Sequence, residues 1–135
     1  MKEKYLDPID QALELHEQAK QYQAQFHLDD AERCCREALR RIEQIEGDRH
    51  PDVANVLNDL SSILDQRGNY TEAAVWAQRS LGIMEEIGHL VDGPEGELIH
   101  IQALIALGTA RRQLGKYSEA EAPLCSRALR GSIPR

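Results

Sequence analysis

A short phrase that recurs along the chain constrains its fold more than any other feature. It reads Arg-Gly-Asn-Tyr-Thr-Glu-Ala-Ala at residues 67–74 and Leu-Gly-Lys-Tyr-Ser-Glu-Ala-Glu at residues 114–121, and a degenerate copy covers residues 26–32. Gly68 and Gly115 lie 47 residues apart, and Phe26 precedes Gly68 by 42. Self-similarity at such a period is typical of stacked-repeat proteins, most of which bind other proteins.

The segments between these phrases have the apolar spacing of amphipathic helices. Ala54, Leu57, Leu60 and Leu64 share one stripe, and no segment alternates as a strand would. Pro51 marks a helix start, whereas the glycines of the repeated phrase are predicted to end helices and reverse the chain. We therefore predict an all-α fold of three antiparallel helix pairs, with helices at residues 8–25, 28–46, 51–67, 70–87, 96–114 and 117–130.

Charge and composition exclude several classes of partner. The 16 Lys and Arg against 23 Asp and Glu give a net charge of −7, which argues against nucleic-acid and anionic-membrane binding. No apolar run approaches the roughly 20 residues of a membrane span, and the N-terminus does not resemble a secretory signal. Three cysteines, two of them adjacent, fit reduced thiols. We expect a cytoplasmic protein.

Signatures of catalysis and of metal or cofactor binding are missing from the sequence. It contains no glycine-rich phosphate loop, no His-Glu-x-x-His and no Gly-x-Ser-x-Gly. The five histidines are scattered, and none pairs with a cysteine at metal-ligand spacing. His50 is predicted to cap or pack, and the adjacent Cys34 and Cys35 are interpreted as small apolar residues. We expect no enzyme activity, no catalytic residue, no metal and no cofactor.

Several segments together carry a family resemblance. They are Gly-Asp-Arg-His-Pro-Asp-Val-Ala at residues 47–54, Leu-Asn-Asp-Leu at 57–60, and the two glycine phrases. The chain resembles the tetratricopeptide repeat family, most closely its 42-residue variant found in kinesin light chains, over nearly residues 12–130. Phe26 and Leu28 depart from the usual Gly and Tyr. The resemblance implies a right-handed α-solenoid in a single domain over residues 1–130, with repeats at about 8–46, 51–87 and 96–130 and an unstructured tail at 131–135.

The resemblance also implies where a ligand binds. In this family the first helix of each pair lines a concave groove, so we expect a non-enzymatic scaffold that binds a peptide or a partner helix there. Asn58 matches the family's groove asparagine, and its amide can donate to and accept from a peptide backbone; alternatively, it only solvates a polar face. The groove, expected to be neutral to weakly basic, also includes Asp65. The predicted binding residues are His16, Lys20, Asn55, Asn58, Ser62, Gln102, Ile105, Thr109 and Arg112.

Two alternatives stay open at this stage. Family members that bind chaperone tails clamp a C-terminal carboxylate with cations, but here the corresponding face offers Lys20 followed by Asp59, Gln102 and Ala106, so that mode is disfavoured. The other alternative is self-association through the C-terminal helix pair, whose apolar face includes Leu124, Ala128 and Leu129. The chain is also compatible with a fragment or an isoform of a longer repeat array.

Overall fold

The computed structural model of this chain describes residues 7–91 and 93–121, and it describes side chains as far as Gly115. Every regular element in this part of the chain is helical, which confirms the all-α prediction. A single 3-10 turn at Gly88–Leu90 precedes the last helix. The five α-helices are α1 at Pro8–Ala24, α2 at Leu28–Glu46, α3 at Pro51–Gln66, α4 at Tyr70–Ile87 and α5 at Pro94–Glu121.

Two helix pairs share the same turn. After α3, Gly68 has a φ of 85°, its N–H donates to the carbonyl of Asp65 at 3.0 Å, and the N–H of Asn69 donates to the carbonyl of Leu64 at 2.8 Å. After α1, Phe26 takes the glycine position with a φ of 61° and the corresponding backbone bonds form. Both turns end a helix in the left-handed conformation, so α1 with α2 and α3 with α4 form antiparallel hairpins.

Helix α3 lies at the centre of the stack, packed against α1, α2, α4 and α5. It buries apolar side chains on several sides and carries much of the core. Small residues of α4 pack where it crosses α3: Ala73 and Ser80 are fully buried. Two buried hydroxyls join this pair. Ser61 Oγ donates to the carbonyl of Ala73 at 2.8 Å, and Ser80 Oγ donates to the carbonyl of Ala54 at 3.0 Å.

Charged side chains join the second helices of the two pairs. Arg36 on α2 donates to Oε2 of Glu72 on α4 at 2.7 Å, and Trp76 Nε1 donates to the same oxygen at 3.1 Å. The hydrogen bond from Arg36 lowers the pKa of Glu72. Arg79 on α4 also pairs with Glu43 on α2. The α2–α4 side is therefore occupied by ion pairs, which leaves the side formed by α1, α3 and α5 as the candidate binding face.

The predicted break at Gly115 is wrong in the described residues. Helix α5 continues through Gly115 to Glu121, and Gly115 does not adopt a positive φ. Glycine permits a left-handed turn without imposing one, and an interior glycine costs a helix only about 1 kcal/mol among helix-forming neighbours. The structure thus shows two complete pairs followed by α5. The rest of the predicted sixth helix and repeat, residues 122–130, and the predicted tail at 131–135 lie outside the described residues.

Candidate peptide-binding groove

An open groove lies between α3 and α5, and its volume is about 260 Å³. Most of the residues that line it are polar. Five of the predicted binding residues meet there. The lining comprises Asn58, Asp59, Ser61, Ser62 and Asp65 from α3, and Gln102, Ile105, Ala106 and Thr109 from α5.

Helical periodicity explains this convergence. Asn58, Ser62 and Asp65 are spaced by four and three residues, so they share one face of α3. The α5 wall has the same spacing, with Gln102 and Thr109 two turns apart. Because seven residues of α-helix rise about 10 Å, the two walls face each other over that length.

Asn58 forms the floor of the groove. Its side chain is only 6% exposed, and its Nδ2 donates to the backbone carbonyl of Ile99 on α5 at 3.1 Å. Its Oδ1 is buried without a hydrogen-bond donor among the described residues. The expected role of Asn58 changes accordingly, because the amide N–H already joins α3 to α5 and only the oxygen remains to accept a hydrogen bond.

The seam between α1 and α3 is closed by side chains. His16 is 5% exposed, and its Nε2 hydrogen-bonds to Oδ2 of Asp59. Gln23 Nε2 donates to Ser62 Oγ at 3.0 Å and to Gln66 Oε1 at 2.6 Å. His16 therefore links two helices instead of presenting its ring to a ligand, and the opening of the groove lies on the α5 side.

The groove is acidic. Asp59 and Asp65 line it, and no Lys or Arg is found among its described lining residues. Asp65 Oδ1 is buried without a donor in the described structure, and burial raises the pKa of this carboxyl. The expectation of a neutral to weakly basic surface is wrong here, because the cations on which it rested, Lys20 and Arg112, are exposed outside the lining.

Some of the residues predicted to bind line the groove, and others do not. Lys20, Asn55 and Arg112 were predicted to bind but do not line the cavity. Asp59 and Ser61 line it and were not predicted as binding residues. The available signal for Asp59 was its place beside Asn58 on α3. Ser61 offered no comparable signal in the sequence. In the structure its hydroxyl donates to the carbonyl of Ala73 on α4.

A second polar cluster lies where α2 leads into α3. One ligand atom each from Glu46, His50 and Asp52 lies within 4.8 Å of the other two. His50 Nδ1 accepts the backbone N–H of Asp52 at 3.0 Å, so this histidine caps α3 as predicted. Glutamate, histidine and aspartate can ligate Zn²⁺. The Nδ1 lone pair of His50 already accepts the Asp52 N–H, so a metal ion would have to break that cap or bind Nε2 instead.

Glu46 faces another acceptor in that cluster. Its Oε1 is 3.1 Å from His50 Nδ1 and has no hydrogen-bond donor in the described structure. Burial and the neighbouring Asp52 carboxyl raise the pKa of Glu46 to about 7. The cluster therefore favours a protonated Glu46 under mildly acidic conditions.

Cys35 on α2 lacks the environment of a reactive thiol. Cys35 is fully buried, and its Sγ donates to the carbonyl of Val56 at 3.5 Å. Burial raises the pKa of the Cys35 thiol, which suppresses the nucleophilic thiolate. Cys34 is partly exposed, and both thiols are free.

Membrane insertion finds no support in the described helices, because none is long and apolar enough to cross a bilayer. The longest, α5, contains 28 residues but carries charged and polar side chains along its length. Several apolar residues of α5 are exposed.

Comparison with known proteins identifies the family. The tetratricopeptide repeat family model matches residues 12–86. Mitochondrial tetratricopeptide repeat protein 19 from Rattus norvegicus and from Mus musculus are each 34% identical over 62 residues, 46% of this chain and 17% of each relative. The Homo sapiens protein is 36% identical over 59 residues, 44% of this chain and 16% of the relative. The chain thus matches about a sixth of these relatives. Because the family match covers most of both helix pairs and more than half of the chain, this protein belongs to the tetratricopeptide repeat family.

Proposed function

We propose that this chain is a non-enzymatic scaffold that binds a peptide or a partner helix in the groove between α3 and α5. The open polar seam between these helices is the observation that supports the proposal. Its length of about 10 Å accommodates roughly three residues of an extended peptide. Family membership supports a role in protein–protein interaction, since repeat stacks expose such surfaces for binding.

The chemistry of the groove disfavours a ligand that presents a C-terminal carboxylate. Asp59, Gln102 and Ala106 occupy positions where a carboxylate clamp needs cations, and all three line the groove. Two aspartates on one wall repel an anionic ligand electrostatically. The proposed ligand is therefore an internal peptide segment or a helix.

A matched pair of substitutions on α5 tests the site. Ile105 is 61% exposed and lines the groove, whereas Leu98 is 54% exposed on the same helix but does not line it. Ile105→Arg places a long side chain in the groove, and Leu98→Arg makes the same chemical change outside it. Peptides selected from a displayed random dodecapeptide library on the wild-type chain supply the probe, and fluorescence anisotropy measures their affinity for each variant.

We expect Ile105→Arg to weaken binding of the selected peptides at least about tenfold, which corresponds to 1.4 kcal/mol. Leu98→Arg should bind as the wild type does. Equal affinity of all three proteins would place the binding surface elsewhere. Selection of no peptide at all by the folded wild-type chain would refute peptide binding as the function.

Self-association is a second candidate function, and exposed apolar residues on α5 favour it. Leu98, Ile101 and Leu104 are each at least 50% exposed, although they lie on a helix that packs in the stack. An exposed apolar row of this kind is typical of an interaction surface. The residues first predicted for this role, Leu124, Ala128 and Leu129, lie outside the described residues.

Sedimentation velocity tests this second function. A dimer that dissociates in the Leu98→Arg variant would support self-association through α5. A monomer at all concentrations up to about 100 μM would exclude it for any interface of useful strength.

The cellular compartment and the repeat variant belong to the proposal as well. We infer a cytoplasmic protein from its composition, whereas the names of the matched relatives place those proteins in mitochondria. Fractionation of cells that express the tagged chain separates these alternatives. The 42-residue spacing from Phe26 to Gly68 and the cap formed by His50 support the kinesin-light-chain-like variant.

A further inference from the structure

Two buried oxygens in the groove lack hydrogen-bond donors in the described structure: Asn58 Oδ1 and Asp65 Oδ1. Buried polar atoms are almost always paired in folded proteins, and those that are not often mark a binding site. Asn58 is more than nine-tenths buried, and its Nδ2 is fixed by the carbonyl of Ile99, so its oxygen has a defined orientation. Both oxygens are acceptors, and they therefore call for a ligand that donates hydrogen bonds.

The neighbouring polar groups already have partners. Asp59 hydrogen-bonds to His16, and Ser61 donates to a carbonyl on α4. Gln23 uses its amide hydrogens on Ser62 and Gln66. Asp65 is thus the groove carboxylate for which the described structure shows no cation and no donor.

The nature of the missing donor follows from the charge of Asp65. Asp65 is only partly buried, and its Oδ1 is the buried oxygen. A partly buried carboxylate without a cation is best stabilised by a charged donor, because charge-assisted hydrogen bonds are stronger than neutral ones. Lys and Arg side chains supply such donors, whereas a backbone N–H does not carry the charge. Partial burial raises the pKa of the Asp65 carboxyl, because desolvation disfavours its charged form.

The two oxygens are far enough apart to contact different parts of one peptide. Asn58 and Asp65 are seven residues apart on the same face of α3, about 10 Å along the helix axis. A single basic side chain cannot satisfy both atoms at that separation. An extended peptide can, since a backbone N–H that reaches Asn58 lies about three residues from a side chain that reaches Asp65.

We propose that the groove selects peptides with a lysine or arginine whose side chain pairs with Asp65, while a backbone N–H of the same peptide donates to Asn58 Oδ1. This inference rests on the proposed function, because it specifies the ligand of the same groove. It predicts a partner sequence with one fixed basic position and no requirement for a free C-terminus.

Peptide selection with three proteins tests the proposal. The full chain, its Asp65→Asn variant and its Glu85→Gln variant are each used to select from one displayed random dodecapeptide library. Glu85 is an exposed residue of α4 that does not line the groove, so its substitution removes one negative charge without changing the site. Circular dichroism verifies that all three proteins are equally helical.

The expected result is enrichment of Lys or Arg at one position by the wild type and by Glu85→Gln, and its loss with Asp65→Asn. Alanine at that peptide position should raise the Kd for the wild type at least about tenfold. Substitution of Lys by Arg in a selected peptide then distinguishes the two side chains. Selected peptides without a basic position would overturn this inference but leave the proposed function standing. Basic enrichment that persists in Asp65→Asn would overturn the assignment of Asp65, and selection of no peptide would refute the proposed function itself.

Discussion

The two buried serines of the α3–α4 hairpin offer a quantitative test of how the repeat is held together. Ser61 is 1% exposed and Ser80 is fully buried, and each hydroxyl donates to a carbonyl of the opposite helix. Replacement of both by alanine removes these bonds while retaining small side chains, so the two helices keep their close approach. Ser62 is the matched control, because it is adjacent in sequence and its hydrogen bond with Gln23 is exposed to solvent.

The expected loss of stability depends on whether each substitution leaves a buried carbonyl without a hydrogen bond. The accepting carbonyls of Ala73 and Ala54 lie inside helices, where an amide four residues on also bonds them. No buried acceptor is therefore orphaned, and each serine should contribute about 1 kcal/mol to the free energy of unfolding. The bonds have different partners, so we expect the double variant to lose about 2 kcal/mol. For 135 residues this loss lowers Tm by about 7 °C.

Urea unfolding and thermal melts followed by circular dichroism measure these differences. We expect Ser61→Ala and Ser80→Ala to lower the urea midpoint with an unchanged m value, since the surface exposed on unfolding stays the same. Ser62→Ala should change stability by less than about 0.5 kcal/mol. Buried serine variants that melt within about 2 °C of the wild type would contradict the view that these hydroxyls stabilise the hairpin.

Three further predictions concern backbone strain and pH. Because Phe26 holds a positive φ, Phe26→Gly should be more stable than Phe26→Ala by about 1 kcal/mol, and equal urea midpoints would show that the turn is unstrained. A Cβ on Gly96 would lie 2.8 Å from Cβ of Val91, whereas one on Gly108 would meet nothing within 4 Å. Gly96→Ala should therefore lower Tm and Gly108→Ala should raise it, the latter by about 0.5–1 kcal/mol of stability, and a rise in both would refute the close contact. The pKa of Glu46 is raised to about 7 in the folded state, so the unfolded chain binds fewer protons and stability should fall as pH rises from about 4.5 to 7. Glu46→Gln should flatten this decline and be the more stable protein at pH 8; a parallel pH profile in urea unfolding would refute the assignment.

The fold was largely predictable because helix starts and repeat spacing are local signals. Pro51 begins α3, and the glycine phrase at Gly68 ends it, as the sequence indicates. The same phrase does not end a helix at Gly115, where α5 continues. Conversely, Phe26 forms the turn that its residue type disfavours. In both cases the type of one residue did not by itself decide whether the chain turns there.

The sequence predicted which residues share the groove face of α3, but not which of their atoms are already hydrogen-bonded. Periodicity placed Asn58, Ser62 and Asp65 together on α3, and the structure shows them together. It could not show that the Asn58 amide already donates to Ile99, because that bond depends on how closely α5 approaches α3. Nor could it show that His16 is committed to Asp59, since the two residues are 43 positions apart in sequence.

Alignment of the repeats on Phe26, Gly68 and Gly115 compares the residues at one equivalent position. The positions equivalent to Asp65 are then Gln23 in the first repeat and Arg112 in the third. Gln23 closes the seam with α3, Asp65 lines the groove, and Arg112 is exposed outside its lining. The same repeat position thus carries a residue hydrogen-bonded to α3 in the first repeat, an acidic groove residue in the second and an exposed cation in the third. The repeated phrase therefore indicates the scaffold, and we propose that ligand choice depends on the residue that differs at each equivalent position. On that proposal, Asp65→Asn is a sharper test of specificity than any change in the repeated phrase.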